Sequence, residues 1–139
     1  MKRLVLLYLD LETTGLDEAD RICSLGLISV NEGNVQVQDE HIRPSRKIRP
    51  EAMAVHHITN EMVKAATAFS DSNIVTLLQE HNSSDNILIA HNISFDLAML
   101  AKEGFFWPGG AIDTLKCSRH LIDEIDRFSL QFLISELGM

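Results

Sequence analysis

The apolar run Leu4-Val5-Leu6-Leu7-Tyr8-Leu9 ends in Asp10-Leu11-Glu12, and this junction restricts the possible folds more than any other segment. Six consecutive apolar residues have the length of a strand, and a run apolar at both parities suits a strand covered on both faces at the centre of a sheet. Side chains alternate at period two, so Asp10 and Glu12 project from one face. Two adjacent carboxylates repel. A divalent cation between them offsets that repulsion, and hard oxygen ligands suit Mg²⁺ or Mn²⁺. A bare D-x-E pair more often does no more than end a strand at the surface, so the reading depends on the rest of the chain.

Downstream, residues 21–30 form a second apolar run. Asn31-Glu32-Gly33-Asn34 is turn chemistry, and in residues 35–42 valines alternate with glutamines, predicting an antiparallel hairpin after the first strand. Residues 43–50 hold two prolines and four basic residues, which predicts a loop, followed by short helices at 51–55 and 60–66. Ser70 or Asp71 is expected to cap a helix carrying Ile74, Leu77 and Leu78 on one face. Ile87-Leu88-Ile89-Ala90 reads as a buried strand, with a helix over 94–102 stopped by Gly104. An edge strand at 111–114 and helices at 115–123 and 130–137 complete the pattern. Ser129 is expected to cap the last helix, whose apolar face is Leu130, Leu133, Ile134 and Leu137. This order predicts an α/β protein with a mixed sheet in a single domain, residues 1–139.

The second polar cluster, His91-Asn92-Ile93-Ser94-Phe95-Asp96, also follows a buried strand. If that strand runs parallel beside the first, Asp96 faces Asp10 and Glu12 from the same sheet edge. An acidic residue in a first helical turn also has a simpler explanation, because the helix dipole favours it.

The formal net charge is −8, with 20 acidic residues against 12 basic, so bulk charge repels polyanions and any nucleic-acid contact must be local. Arg43, Arg46, Lys47 and Arg49 are the concentrated positive charge. They either touch phosphates beside the site or form a solvated loop. Cys23 and Cys117 show no metal spacing and are expected to be reduced, small core residues of a cytoplasmic protein. No export signal or membrane span is indicated. His56 and His57 lack further ligands at zinc spacing, and Cys117 near His120 lacks an orienting third group for nucleophilic catalysis.

Leu9-Asp10-Leu11-Glu12-Thr13-Thr14-Gly15 and His91-Asn92-Ile93-Ser94-Phe95-Asp96 resemble the first two motifs of the DEDD, or DnaQ-like, exonucleases, particularly the proofreading epsilon subunit of bacterial DNA polymerase III. Asp20-Arg21-Ile22, the segment from Pro50 through Thr59, and Ile112-Asp113-Thr114-Leu115 match in the same order. The resemblance implies a ribonuclease H-like fold, a mixed five-stranded sheet flanked by helices. It also implies two-metal hydrolysis at a 3′ end. Asp10, Glu12 and Asp96 are then the catalytic and metal-binding residues, for two Mg²⁺ or Mn²⁺ ions. Thr13, His56, Asn92 and Phe95 are the substrate-binding residues. The implied partners are single-stranded or frayed DNA ends, with RNA left open, and a DNA polymerase.

The family's third motif, a histidine followed five residues later by an aspartate, is absent. His120 precedes the last helix and reads as a surface residue. The expectation is therefore a domain truncated at its C-terminus, lacking its final helix, impaired in catalysis and inclined to self-associate through exposed apolar surface. The alternative function is a non-catalytic module that binds nucleic acid or docks on a polymerase.

Overall fold

In the computed structural model, which describes residues 3–122, 127–129 and 133–135, five strands form one mixed sheet. They are β1 (Leu6–Thr13), β2 (Ile22–Asn31), β3 (Asn34–His41), β4 (Ile87–Ala90) and β5 (Gly110–Asp113), in the spatial order β3-β2-β1-β4-β5. β1 is central, antiparallel to β2 and parallel to β4, and β4 is parallel to β5. The β2–β3 hairpin turns through Glu32 and Gly33, both at positive φ (50° and 83°), as a two-residue hairpin turn requires.

Five α-helices accompany the sheet: α1 (Pro50–His56), α2 (Asn60–Val63), α3 (Asn73–Glu80), α4 (Ile93–Lys102) and α5 (Thr114–Leu121). The core lies where Leu7, Leu9 and Leu11 of β1 meet Leu25 and Leu27 of β2, Ile74 and Leu78 of α3, and Met99 and Leu100 of α4. A smaller cluster of Cys23, Ile48, Ile58 and Val63, with Met53 packed against it, holds the loop before α1 and the two short helices to the sheet.

Several expectations are corrected. β1 is not covered on both faces by the described residues. Its odd positions are buried, but Tyr8 is 41% exposed and its cross-strand partner Ile28 39%, while Ile89 on the other side is buried, so the apolar face is open on the β2 side. The unbroken apolar run concealed this, because hydrophobicity at both parities does not say whether both faces find a partner. α3 is capped by Ser72, whose hydroxyl accepts from the Val75 amide (3.3 Å) and donates to Glu40 (2.7 Å). Ser70 and Asp71 belong instead to a 3₁₀ turn, Phe69–Asp71. Cys23 is buried as expected, but Cys117 is exposed, because Ser118 is the buried residue of α5.

Residues 133–135 are helical and Leu133 is buried as expected, but Ile134, assigned to the same apolar face, is 37% exposed, so only part of that face is turned inward. The remainder of the helix expected at 130–137, including Leu130 and Leu137, lies outside the described residues.

Candidate active site

Parallel pairing of β1 with β4 brings the ends of both strands to one sheet edge, where Asp10 and Glu12 leave β1 and the chain passes from β4 into α4. The pairing of β1 with β2 shifts register between Glu12 and Thr13, just after the acidic pair, and Thr13 is buried in phase with Leu7, Leu9 and Leu11. The start of α4 is shaped by Asn92, which adopts a left-handed conformation (φ 67°) and gives its backbone N–H to Asp113 Oδ1 at 3.0 Å. The same oxygen accepts from the Leu115 amide at 2.9 Å, so one carboxylate fixes the beginnings of α4 and α5 together.

Asp96 lies in the first turn of α4 and is 5% exposed. Burial, then the charges of Asp10, Asp113 and Glu12, push its carboxyl up to about 8. Asp10 and Glu12 are also raised, Asp10 chiefly by burial and Glu12 by burial and then by the charge of Asp10. The Asp10 charge thus disfavours ionisation of both Glu12 and Asp96, and the Glu12 charge adds to the effect on Asp96. Burial also raises Asp113, but hydrogen bonds from the amides of Asn92, Leu115 and Lys116, with the charge of Lys116, outweigh it and leave its carboxyl below the ordinary range. Its lone pairs are spent on the backbone. The Asp-Thr pair between a strand and a helix is the sequence signal for such a cap, and Asp113 is the residue that the motif reading left without a role.

His91, the first residue of the second cluster, is held at both ring nitrogens. Nδ1 meets the Thr114 hydroxyl at 3.0 Å, and Nε2 faces the carbonyl of Phe128, which can only accept. The ring therefore donates from Nε2 to residue 128, and its charge when protonated favours ionisation of neighbouring Asp10. Both nitrogens being engaged, His91 is poorly placed to take a proton from a substrate.

The substrate-side residues divide. His56 and Thr13 line a cavity of about 420 Å³ together with Glu12, Leu16, Arg49 and Val55. The His56 ring is oriented by the Ile58 amide, which donates to Nδ1 (3.1 Å), so that Nε2–H donates to the Thr13 carbonyl (2.9 Å). The Thr13 hydroxyl is turned inward, donating to the Gly15 carbonyl at 2.7 Å. Leu16 and Val55, 85% and 78% exposed, stand at this cavity as bare apolar side chains that the sequence did not single out. Asn92 is exposed, whereas Phe95 is partly buried and packs on the core. Amides of the Thr13-Thr14-Gly15 turn could approach a substrate only if unpaired, and the Thr14 N–H donates to the Arg21 carbonyl (2.9 Å). Gly15 is needed there for a different reason: a Cβ would stand 2.4 Å from Asp20 Oδ2 and 2.6 Å from Arg49 Cδ.

A family model described as exonuclease, RNase_T, matches residues 7–138. The chain belongs to this exonuclease family. A PolC-type DNA polymerase III of Thermotoga maritima is 33% identical over 142 residues, covering 94% of the chain, and that of Staphylococcus haemolyticus is 31% identical over 147 residues, covering all of it. The chain spans 10% of the length of each of these relatives. Among solved structures, exonuclease X in complex with 5′ overhanging duplex DNA superposes with a TM-score of 0.75 at 30% identity, over 96% of this chain and 74% of that one. Exonuclease I superposes with a TM-score of 0.81 at 16% identity, over 99% of this chain and 39% of its own, which attests the shared fold. The sheet and its helices are thus the ribonuclease H-like arrangement of the DnaQ-like exonuclease superfamily.

Exonucleases of this family generally use divalent metal ions. The donor chemistry fits such an ion: three carboxylates, all with raised proton affinity, one of them buried among the others' charges. As the side chains stand, no three His, Cys, Asp or Glu residues among those described approach closely enough to enclose a metal, so binding requires the carboxylates to draw together. No helix among the described residues is long and apolar enough to cross a membrane.

Proposed function

We propose that this domain is a 3′→5′ exonuclease that hydrolyses the terminal phosphodiester of single-stranded or frayed DNA in the cytoplasm, in a polymerase-proofreading or repair setting. What supports the proposal is Asp96, a buried carboxyl at the start of α4 on which the charges of Asp10, Asp113 and Glu12 act. A protein gains nothing in stability from such an arrangement, and its use is to concentrate ligands for cations.

Asp10, Glu12 and Asp96 would hold two Mg²⁺ or Mn²⁺ ions. Bound there, these ions supply a water of lowered pKa and neutralise charge on the reacting phosphate. The chain's own residues do the positioning. Glu12 and His56 border one cavity, so a terminal nucleotide seated against Leu16 and Val55 presents its phosphate beside the β1 carboxylates. His56 holds the Thr13 backbone at that wall, and Asn92 stands exposed at the start of the helix that carries Asp96. The spread of the carboxylates in the described structure favours a second reading, a domain that binds nucleic acid without cutting it.

The test is a nuclease assay on a single strand labelled at its 5′ end, with Mn²⁺ or with chelator, comparing the protein with Asp10→Ala. A ladder shortening from the 3′ end, abolished by chelator and by the substitution, is the expected result. Equal background in all reactions removes the enzyme reading, and shortening from the 5′ end overturns the polarity.

A further inference from the structure

Of the 12 lysines and arginines of this acidic chain, several are engaged internally. Arg3 pairs with Glu32, Arg21 lies 4.0 Å from Glu103, Arg46 and Arg49 both reach Asp20, and the Lys102 ammonium donates to the carbonyls of Asp17 and Asp20. Lys116 and Arg119 stand exposed on α5, and so, grouped elsewhere, do Arg43, Lys47 and Lys64, none of which has an ion pair with a described residue. The latter three line one surface notch of about 630 Å³, with Arg46 as a fourth cation, Val63 in its wall and Glu61 as its one acidic member.

The notch is rigid. The loop before α1 is pinned by Ile48, which is buried and gives its amide to Asn60 Oδ1 (2.8 Å), and by the Arg49 amide, which donates to the Thr14 carbonyl (2.9 Å). Arg46 is fixed on Asp20 (3.3 Å). This loop also has two sides: Arg49 at its end walls the cavity that contains Glu12 and His56, while Arg43, Arg46 and Lys47 face the notch. Positive charge without internal ion pairs therefore sits one loop away from the carboxylates, on a molecule whose net charge of −8 disfavours nucleic acid in bulk.

We propose that Arg43, Lys47 and Lys64 seat the phosphodiester backbone of the substrate strand at nucleotides behind the 3′ terminus, so that the notch supplies affinity and the carboxylate edge supplies chemistry. The proposal rests on the nuclease reading above for the identity of the strand. The notch itself can be tested without cleavage.

In an Asp10→Asn background that blocks cutting, binding of a labelled 20-nucleotide single strand is followed by anisotropy over a range of salt concentrations, with and without Arg43→Ala, Lys47→Ala and Lys64→Ala combined. Each lost phosphate contact to a single strand lowers the slope of log affinity against log salt by about 0.7, so the triple variant should be shallower by about 2. In the active background the same triple variant should raise KM for the 20-mer about tenfold or more while leaving hydrolysis of thymidine 5′-monophosphate p-nitrophenyl ester unchanged. The altered side chains are exposed, and an unchanged melting temperature verifies folding.

An identical salt slope overturns the proposal. So does an equal loss on the mononucleotide ester, which would place these residues at the reacting phosphate, and so does competition by poly-glutamate as effective as that by the oligonucleotide, which would mark a site for an acidic protein. A slope difference in a protein that cleaves nothing leaves the notch standing and removes the exonuclease reading alone.

Discussion

Asp20 and Asp96 are both buried aspartates, and their surroundings drive them in opposite directions. Asp20 is fully enclosed beside the turn that follows β1. It accepts the Thr14 hydroxyl (2.8 Å) and the Asp17 amide (2.8 Å), and the guanidinium groups of Arg46 and Arg49 lie 3.2–3.3 Å away. Burial alone would raise its pKa, but these donors and the Arg49 charge win and hold it below the ordinary range. Asp96 has burial and three carboxylates acting on it, and its carboxyl rises to about 8. A buried charge surrounded by donors secures structure, whereas one surrounded by like charges is maintained at the expense of stability and marks a place where a ligand completes the balance.

Replacement of the two residues tests this contrast most severely. Asp96→Asn should lower the cleavage rate by about 10³-fold or more, with each tenfold equal to about 1.4 kcal/mol of barrier. In chelator it should nonetheless stabilise the fold by about 1–3 kcal/mol. The sign follows from the raised folded pKa: the wild-type carboxyl destabilises only where the unfolded chain would ionise it. The gap between variant and wild type should be absent below about pH 4 and widen as pH rises toward 8 in thermal melts. A wild type more stable than Asp96→Asn at pH 8 without metal would break the comparison.

Asp20→Ala should do the reverse, costing about 2–4 kcal/mol in denaturant melts because the Thr14 hydroxyl and the Asp17 amide lose their acceptor and Arg46 and Arg49 a partner. Since the folded pKa of Asp20 is depressed, its contribution is complete above the ordinary carboxylate range and is lost as pH falls through about 4 and then through the folded value. Wild-type stability should therefore decline in acid more steeply than that of the alanine variant. Equal acid slopes would show that Asp20 is not the group responsible.

Gly15→Ala sharpens the same picture at smaller scale. Its Cβ would meet Asp20 Oδ2 at 2.4 Å, and forcing that contact should cost about 1–3 kcal/mol in the same melts. A neutral result would mean that the Asp20 cluster is looser than described. The smallest expected effect belongs to His56→Ala, about 1 kcal/mol of stability for the hydrogen bonds to Thr13 and Ile58. A larger fall in the cleavage rate than in stability would separate a substrate role from a structural one.

The elements were largely legible because their signals are local. The turn at Glu32-Gly33, the strand over 87–90 and the helix stopped at Gly104 (φ 83°) each depend on a few adjacent residues. The Ser72 cap was displaced by two residues in the reading because Ser70 and Asp71 offer the same chemistry, and only the contact with Glu40, 32 residues away, selects among them. The exposure of Cys117 was missed for a similar reason. A small apolar residue in a helix has no intrinsic side, and packing assigns one.

For the candidate site, the sequence by itself determined that Asp10 and Glu12 share a face, since strand periodicity allows no other outcome, and that Asp96 opens a helix after a buried strand. The tertiary structure decided the electrostatic setting of the two buried aspartates. The sequence around each shows what it can reach nearby, Thr14 and Asp17 for Asp20, but not which distant charges meet it. The difference lies in what distant segments bring: Arg46 and Arg49 to Asp20, and the β1 carboxylates to Asp96. Electrostatic energy depends on separation in space, and in a folded chain that is set by sheet order and packing rather than by position along the sequence.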